Sequence, residues 1–160
     1  QGPGGADGNA NVIVSEWKEA TAHKDTIMDG SQIRVATVAA PELTENIIEK
    51  SAIMVYIKYG GGNFILPYTS YAGSRTNTIS FFPKKEKIRP TRFAHDGGNT
   101  ISLGGQIRYK YIIIPQDTAP KGSSNNTSQP LYRLNNQLYI LDALKAMSYE
   151  EMSLKLNIKE

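Results

Sequence analysis

The chain has 160 residues, 39% apolar and 21% charged, with a formal net charge of +3. This length suits one domain with appendages, able to bury roughly two-thirds of its unfolded surface. It has no cysteine, which excludes disulfides, thiol nucleophiles and cysteine-based metal sites, and no stretch approaches the ~18 continuous apolar residues that cross a bilayer as a helix.

In chain order, residues 2–10 read GPGGADGNA, with Gly2, Gly5 and Gly8 three apart and Pro3 in an X position. Collagen requires this spacing because only glycine fits the axis of three wound polyproline-II chains. A glycine-rich linker is the plainer reading of the same residues.

Asn11 to Trp17 follows as a strand. The single tryptophan, Trp17, is a core anchor near its end. Lys18 to Gly30 is polar and reads as a loop closing on the turn signal Asp29-Gly30. Ser31 to Ala40 is the next strand, and Pro41 stops it. Thr44 to Ser51 is a short helix capped by Thr44, with Ile47 and Ile48 toward the core.

Ile53 to Tyr59 is a strand with Ile53, Val55, Ile57 and Tyr59 on one side. Gly60-Gly61-Gly62 then separates two apolar strands, which makes it a hairpin turn. A phosphate-binding loop would need a helix to follow, and Phe64-Ile65-Leu66-Pro67 cannot begin one. Short strands are expected at Thr78–Phe82, Lys87–Phe93 and Thr100–Leu103, divided by proline and glycine turns.

The segment Gln106–Pro115, QIRYKYIIIP, puts Ile107, Tyr109, Tyr111 and Ile113 on one face. Arg108, Lys110, Ile112 and Ile114 take the other, so the charged half is expected in water and the isoleucine half under cover. Strands at this spacing predict a mainly β fold: an antiparallel, jelly-roll-like β-sandwich of roughly eight strands.

Residues 117–130 have no apolar periodicity and read as a flexible linker. Beyond them, a strand pair is expected around Asn135-Asn136. Ser148-Tyr149-Glu150-Glu151 is a capping box opening a short C-terminal helix, with Tyr149, Met152 and Leu156 on one stripe. A helix this short must dock on the sandwich or on a partner. The domain plan is therefore 1–10 stalk or linker, 11–116 sandwich, 117–130 linker and 131–160 extension with a docking helix.

No motif for chemistry accompanies the strands. His95-Asp96 are sequence neighbours on a turn, and no serine sits in a nucleophile-elbow context. Asp25, Asp29 and Asp96 can ligate calcium from loops, but turn-forming aspartates are commoner. Glu16 and Glu86 are the carboxylates a glycosidase would use, and both read more simply as solvated edge charges. Residues 84–110 hold seven basic against two acidic side chains. Without an aromatic platform this is a solvated hairpin and not a nucleic-acid surface. Exposed Tyr56, Tyr59, Tyr68, Tyr71 and Trp17 can stack on pyranose faces, with core or edge packing as the plainer role for tyrosine in a sandwich. No catalytic residue, metal or cofactor is expected.

The order of pieces is familiar: a Gly-X-Y end, NVIVSEW, TENIIEKSAIMVYIKYGG, FILPYTSY, QIRYKYIIIP and LKAMSYEEMSLKLNI. It resembles the uncharacterised C-terminal domain found behind collagen-like repeats in exported, lipid-anchored surface proteins of Bacteroidetes. That resemblance implies an exported location, an N-terminal stalk and an all-β head of unknown activity. The favoured expectation is a non-enzymatic module at the cell surface or outside it, serving structure or adhesion, with a glycan or surface-protein partner, a homotrimer if the stalk is collagen-like, and membrane attachment only through an anchor upstream of Gln1. Asp25-Thr26-Ile27 and Asp117-Thr118-Ala119 resemble the O-glycosylation sites of that phylum, placing candidate modification at Thr26 and Thr118. A carbohydrate-binding module using Tyr59, Tyr68 and Tyr71 is the alternative.

Overall fold

The computed structural model describes residues 11–117 and 129–159. In chain order the strands are β1 (Ile13–Val14), β2 (Thr21–Met28), β3 (Ser31–Ala39), β4 (Ser51–Tyr59) and β5 (Gly62–Ile65). They continue with β6 (Tyr68–Ser70), β7 (Asn77–Lys84), β8 (Lys87–Ala94), β9 (Arg108–Pro115), β10 (Tyr132–Leu134) and β11 (Gln137–Tyr139). The helices are α1 (Glu45–Lys50), α2 (Leu141–Lys145) and α3 (Tyr149–Leu156).

Two antiparallel sheets form a β-sandwich, one ordered β1-β9-β4-β5 and the other β2-β3-β8-β7-β6. The pairing of β4 with β9 runs unbroken from Ser51↔Pro115 to Lys58↔Arg108. Alternation then decides what each face buries. Ile53, Val55 and Ile57 join Tyr109, Tyr111 and Ile113 between the sheets, meeting Ala36, Val38, Ile79 and Ile88 from the second sheet.

Ala52, Met54, Tyr56, Ile112 and Ile114 point outward, where a sandwich strand would ordinarily be polar. Here a second core covers them, built from Tyr132, Leu134, Leu144, Met147, Tyr149 and Met152. The run Ile112-Ile113-Ile114 is therefore apolar on both sides because the sheet it crosses is a middle layer. The extension beyond residue 130 is that third layer, so the helix docks on the sandwich. Its cap forms as the sequence predicts, with the Glu151 amide donating to Ser148 Oγ at 3.0 Å. The Ile47 amide likewise donates to Thr44 Oγ1 at 3.1 Å and starts α1.

Glycine punctuation also lies where expected. Tyr59 pairs with Gly62, and Gly60 and Gly61 turn between them at φ +61° and +86°, the left-handed region that a side chain resists. Asn135 and Asn136 (φ 53° and 64°) close the β10–β11 hairpin in the same way.

Three expectations fail. The polar stretch Lys18–Gly30 contains an eight-residue strand, β2, at the edge of the second sheet. An edge strand is held by its backbone ladder to β3 and needs no apolar face of its own, so hydrophobic periodicity could not reveal it. Thr100–Leu103 forms no strand; instead Leu103, 0% exposed, plugs the end of the inter-sheet core. Lys110 does not lie in water: it is 5% exposed, its ammonium 5.1 Å from the Trp17 ring centroid and 5.7 Å from that of Tyr149. Aromatic faces stabilise a cation that a hydropathy pattern assigns to solvent.

Candidate functional site

At the end of the sandwich where β4 turns into β5, two glycine-bearing segments flank a groove of about 700 Å³ lined by residues 58–61 and 104–107. One wall is the Lys58–Gly61 turn, and the other is Gly104-Gly105-Gln106. The second wall is fixed from several sides. Leu103 and Ile107 are buried at its two ends. Arg108 Nη1 donates to the Gly105 carbonyl at 2.9 Å, and the Gly104 amide donates to Ser102 Oγ at 2.9 Å. A groove whose rims are anchored in this way is preorganised, so little ordering cost falls on binding.

Tyr59 stands between this groove and the core. Its ring lies edge-on to Tyr68 at 6.4 Å, and Tyr68 stacks on Phe64 at 4.4 Å. Behind it sits Arg92, 4% exposed, because β8 alternates and position 92 faces inward. The guanidinium donates to Asn77 Oδ1 (2.8 Å), to the Ser102 carbonyl (2.8 Å) and to the Tyr59 hydroxyl (3.4 Å). Every one of these acceptors is neutral. Tyr109 belongs to the same inter-sheet core, and its buried hydroxyl finds no hydrogen-bond partner among the described residues. Burial pushes the pKa of that phenol up, against its ionisation, while the Arg92 charge pulls it back.

The tyrosines expected to be available divide sharply. Tyr59 and Tyr68 are half-buried and share the aromatic cluster at the groove, and Tyr71 is 67% exposed just beyond β6. Tyr56 is 0% exposed and cannot stack on a ligand, because it lies on the outward face that the extension covers. Trp17 lines a separate groove of about 610 Å³ between β1 and the C-terminal residues. Lys58 Nζ, Lys110 Nζ and the Tyr149 ring all approach its indole, at 4.6, 5.1 and 5.3 Å.

The ionisable residues singled out in the sequence are held apart. His95 Nε2 bonds Thr78 Oγ1 at 2.8 Å, while its neighbour Asp96 takes a two-pronged bond from Arg75 at 2.8 Å on each oxygen. Those bonds, Arg75 first and the Gly98 amide second, hold the Asp96 carboxyl well below the usual carboxylate range. Asp25 accepts from Thr100 Oγ1 and Arg34, which lower its pKa too and hold the carboxylate charged. The acids thus pin the 94–101 loop to its neighbours. Glu16 is exposed beside Trp17, and Glu86 is exposed in the β7–β8 turn. Among the described residues no group of three or more His, Cys, Asp or Glu converges to hold a metal. Thr26 lies in β2 paired with Ile33 and not in a loop, and Thr118 lies outside the described residues.

Sequence reasoning missed Arg92 and the 104–106 wall. The alternation of Ile88, Pro90, Arg92 and Ala94 was the available signal for an inward arginine. Compared with known proteins, the chain matches no family model, no curated sequence and no solved structure.

Proposed function

We propose that this chain is a non-catalytic, exported binding head, carried on a collagen-like stalk at one pole and engaging its ligand in the Tyr59 groove at the other. The observation that carries the reading is the separation of these two ends. The described chain enters beside Ile113, which pairs with Ile13, and the groove begins past Arg108, which pairs with Lys58. The five residue steps from Arg108 to Ile113 on β9 span about 17 Å at roughly 3.4 Å each, with the groove beyond. Residues 1–10, which carry the Gly-X-Y triplets, precede Asn11 in sequence and lie outside the described residues. A stalk attached there leaves the groove unobstructed. The resemblance to heads behind collagen-like repeats supports the same arrangement, and a triple-helical stalk makes the molecule a homotrimer.

The ligand class favoured for the groove is a glycan. Its volume lies within the range of small-ligand sites, and its lining joins the aromatic Tyr59 to the polar Gln106. Tyr59 lines the groove with Tyr68 against its ring, and Tyr71 is exposed just beyond β6. A glycan array probed with the chain and with Tyr59→Ala tests this directly. Binding that the substitution abolishes is expected; binding that survives it overturns the assignment. Light scattering on the chain joined to a longer Gly-X-Y tract tests the stalk. A trimer is expected, and a monomer overturns that part.

A further inference from the structure

Resting on the reading of the Tyr59 groove as a glycan site, we infer that it selects acidic sugars, with the ligand carboxylate seated over the Tyr59 hydroxyl against the buried charge of Arg92. A guanidinium that is 4% exposed normally has a carboxylate partner, because removing a charge from water is costly. Arg92 makes no ion pair among the described residues; its acceptors are an amide, a backbone carbonyl and a phenol. Its charge is solvated by dipoles and by the Tyr59 ring, whose centroid is 5.7 Å away, but it is not neutralised.

Tyr59 conveys that charge to the groove. Its oxygen accepts from Arg92 Nη2, which leaves the phenolic proton to point elsewhere. A hydroxyl polarised by a cation behind it is a stronger donor, and the acceptor gaining most is an anionic oxygen. None of the described residues lining the groove is acidic, and the Lys58 ammonium is directed to the Trp17 ring. Gly104 and Gly105 leave their side of the groove open, and a Cβ built on either meets nothing within 4 Å. Acidic ligands are therefore attracted by Arg92 behind the groove, while neutral sugars gain only the stacking and the ordinary hydrogen bonds.

The test is calorimetric titration of the whole chain with oligogalacturonate and with the same oligosaccharide after its carboxylates are reduced to alcohols. The uronate is expected to bind about tenfold tighter, as a charge-assisted bond does over a neutral one. That ratio should shrink between about 0.05 M and about 0.5 M salt. Arg92→Met lowers the ratio in a variant that keeps the native circular dichroism spectrum, and an unchanged ratio in that variant overturns the role of Arg92. Equal binding of the two ligands at low salt overturns the acidic preference and leaves the glycan reading standing. Binding of neither ligand overturns both.

Discussion

The Tyr56 hydroxyl donates to the Met147 carbonyl at 3.2 Å, joining the central strand to the C-terminal extension across 91 positions of sequence. The bond is buried and lies inside the second core, which makes the extension a structural layer and not an appendage. Removing the hydroxyl leaves a buried carbonyl unpaired. Tyr56→Phe should therefore destabilise by about 1–2 kcal/mol, read as a lower urea midpoint with an unchanged slope.

Deleting residues 131–160 uncovers Met54, Tyr56, Ile112 and Ile114 together. A contiguous apolar face of this kind drives self-association. The truncated chain is expected to aggregate or lose cooperative unfolding, as scattering and thermal melts will show. A soluble, cooperatively folding truncation would mean that the two-sheet sandwich stands without its third layer.

Ser148→Ala removes the side-chain oxygen that receives the Glu151 amide. The loss should be about 1 kcal/mol, the ordinary cost of a helix N-cap. Because α3 carries Tyr149 and Met152 into the second core, the loss should appear in global unfolding and not as local fraying alone.

Much of this arrangement is legible in the sequence, for reasons visible in particular residues. Alternation through Ile53–Tyr59 and Ile107–Ile114 assigns both faces of the two long strands, because side-chain period is a local property. Gly60-Gly61, Asn135-Asn136 and Ser148 report local backbone geometry in the same way. What covers Ile112 and Ile114 is a different kind of fact. It depends on residues 20 and more positions later folding back across the sheet, which no window of sequence contains. Lys110 and Arg92 were hidden for a related reason. Each is stabilised by aromatic rings or neutral acceptors brought in from distant segments, so its burial is decided by tertiary structure. The groove wall at Gly104–Gln106 reads as an ordinary turn until Leu103 and Ile107 are seen to anchor both its ends.

Tyr56, Tyr109 and Tyr111 should resist ionisation. Burial raises all three, with Tyr111 raised further by its hydrogen bond to Glu42 at 2.5 Å. A phenol whose folded pKa lies above its unfolded value contributes stability that is fully present below the unfolded value of about 10. That stability declines as pH rises from there toward the folded value. Alkaline absorbance titration should show these three of the nine tyrosines ionising late, together with unfolding. Independent, non-cooperative ionisation of all nine near the ordinary value would contradict their burial.

Asp96 gives the opposite sign. Its carboxyl is depressed by Arg75 and the Gly98 amide, so the ion pair persists above the ordinary carboxylate range and is lost only as pH falls through the lower, folded value. Carbon-13 titration of the Asp96 carboxyl should place its midpoint below that of an unperturbed aspartate. Asp96→Asn should loosen the 94–100 loop, seen as faster amide exchange at Gly98.

The central claim is that ligand engages the pole of the sandwich opposite the one where the chain enters. It is tested most directly by mapping backbone amide shifts in an NMR titration with a glycan identified on the array. The account predicts shifts concentrated at 58–61 and 104–107, with the Ile13–Val14 and Ile112–Pro115 amides unmoved. Shifts centred instead on the Trp17 groove or on α3, with 58–61 and 104–107 silent, would contradict it.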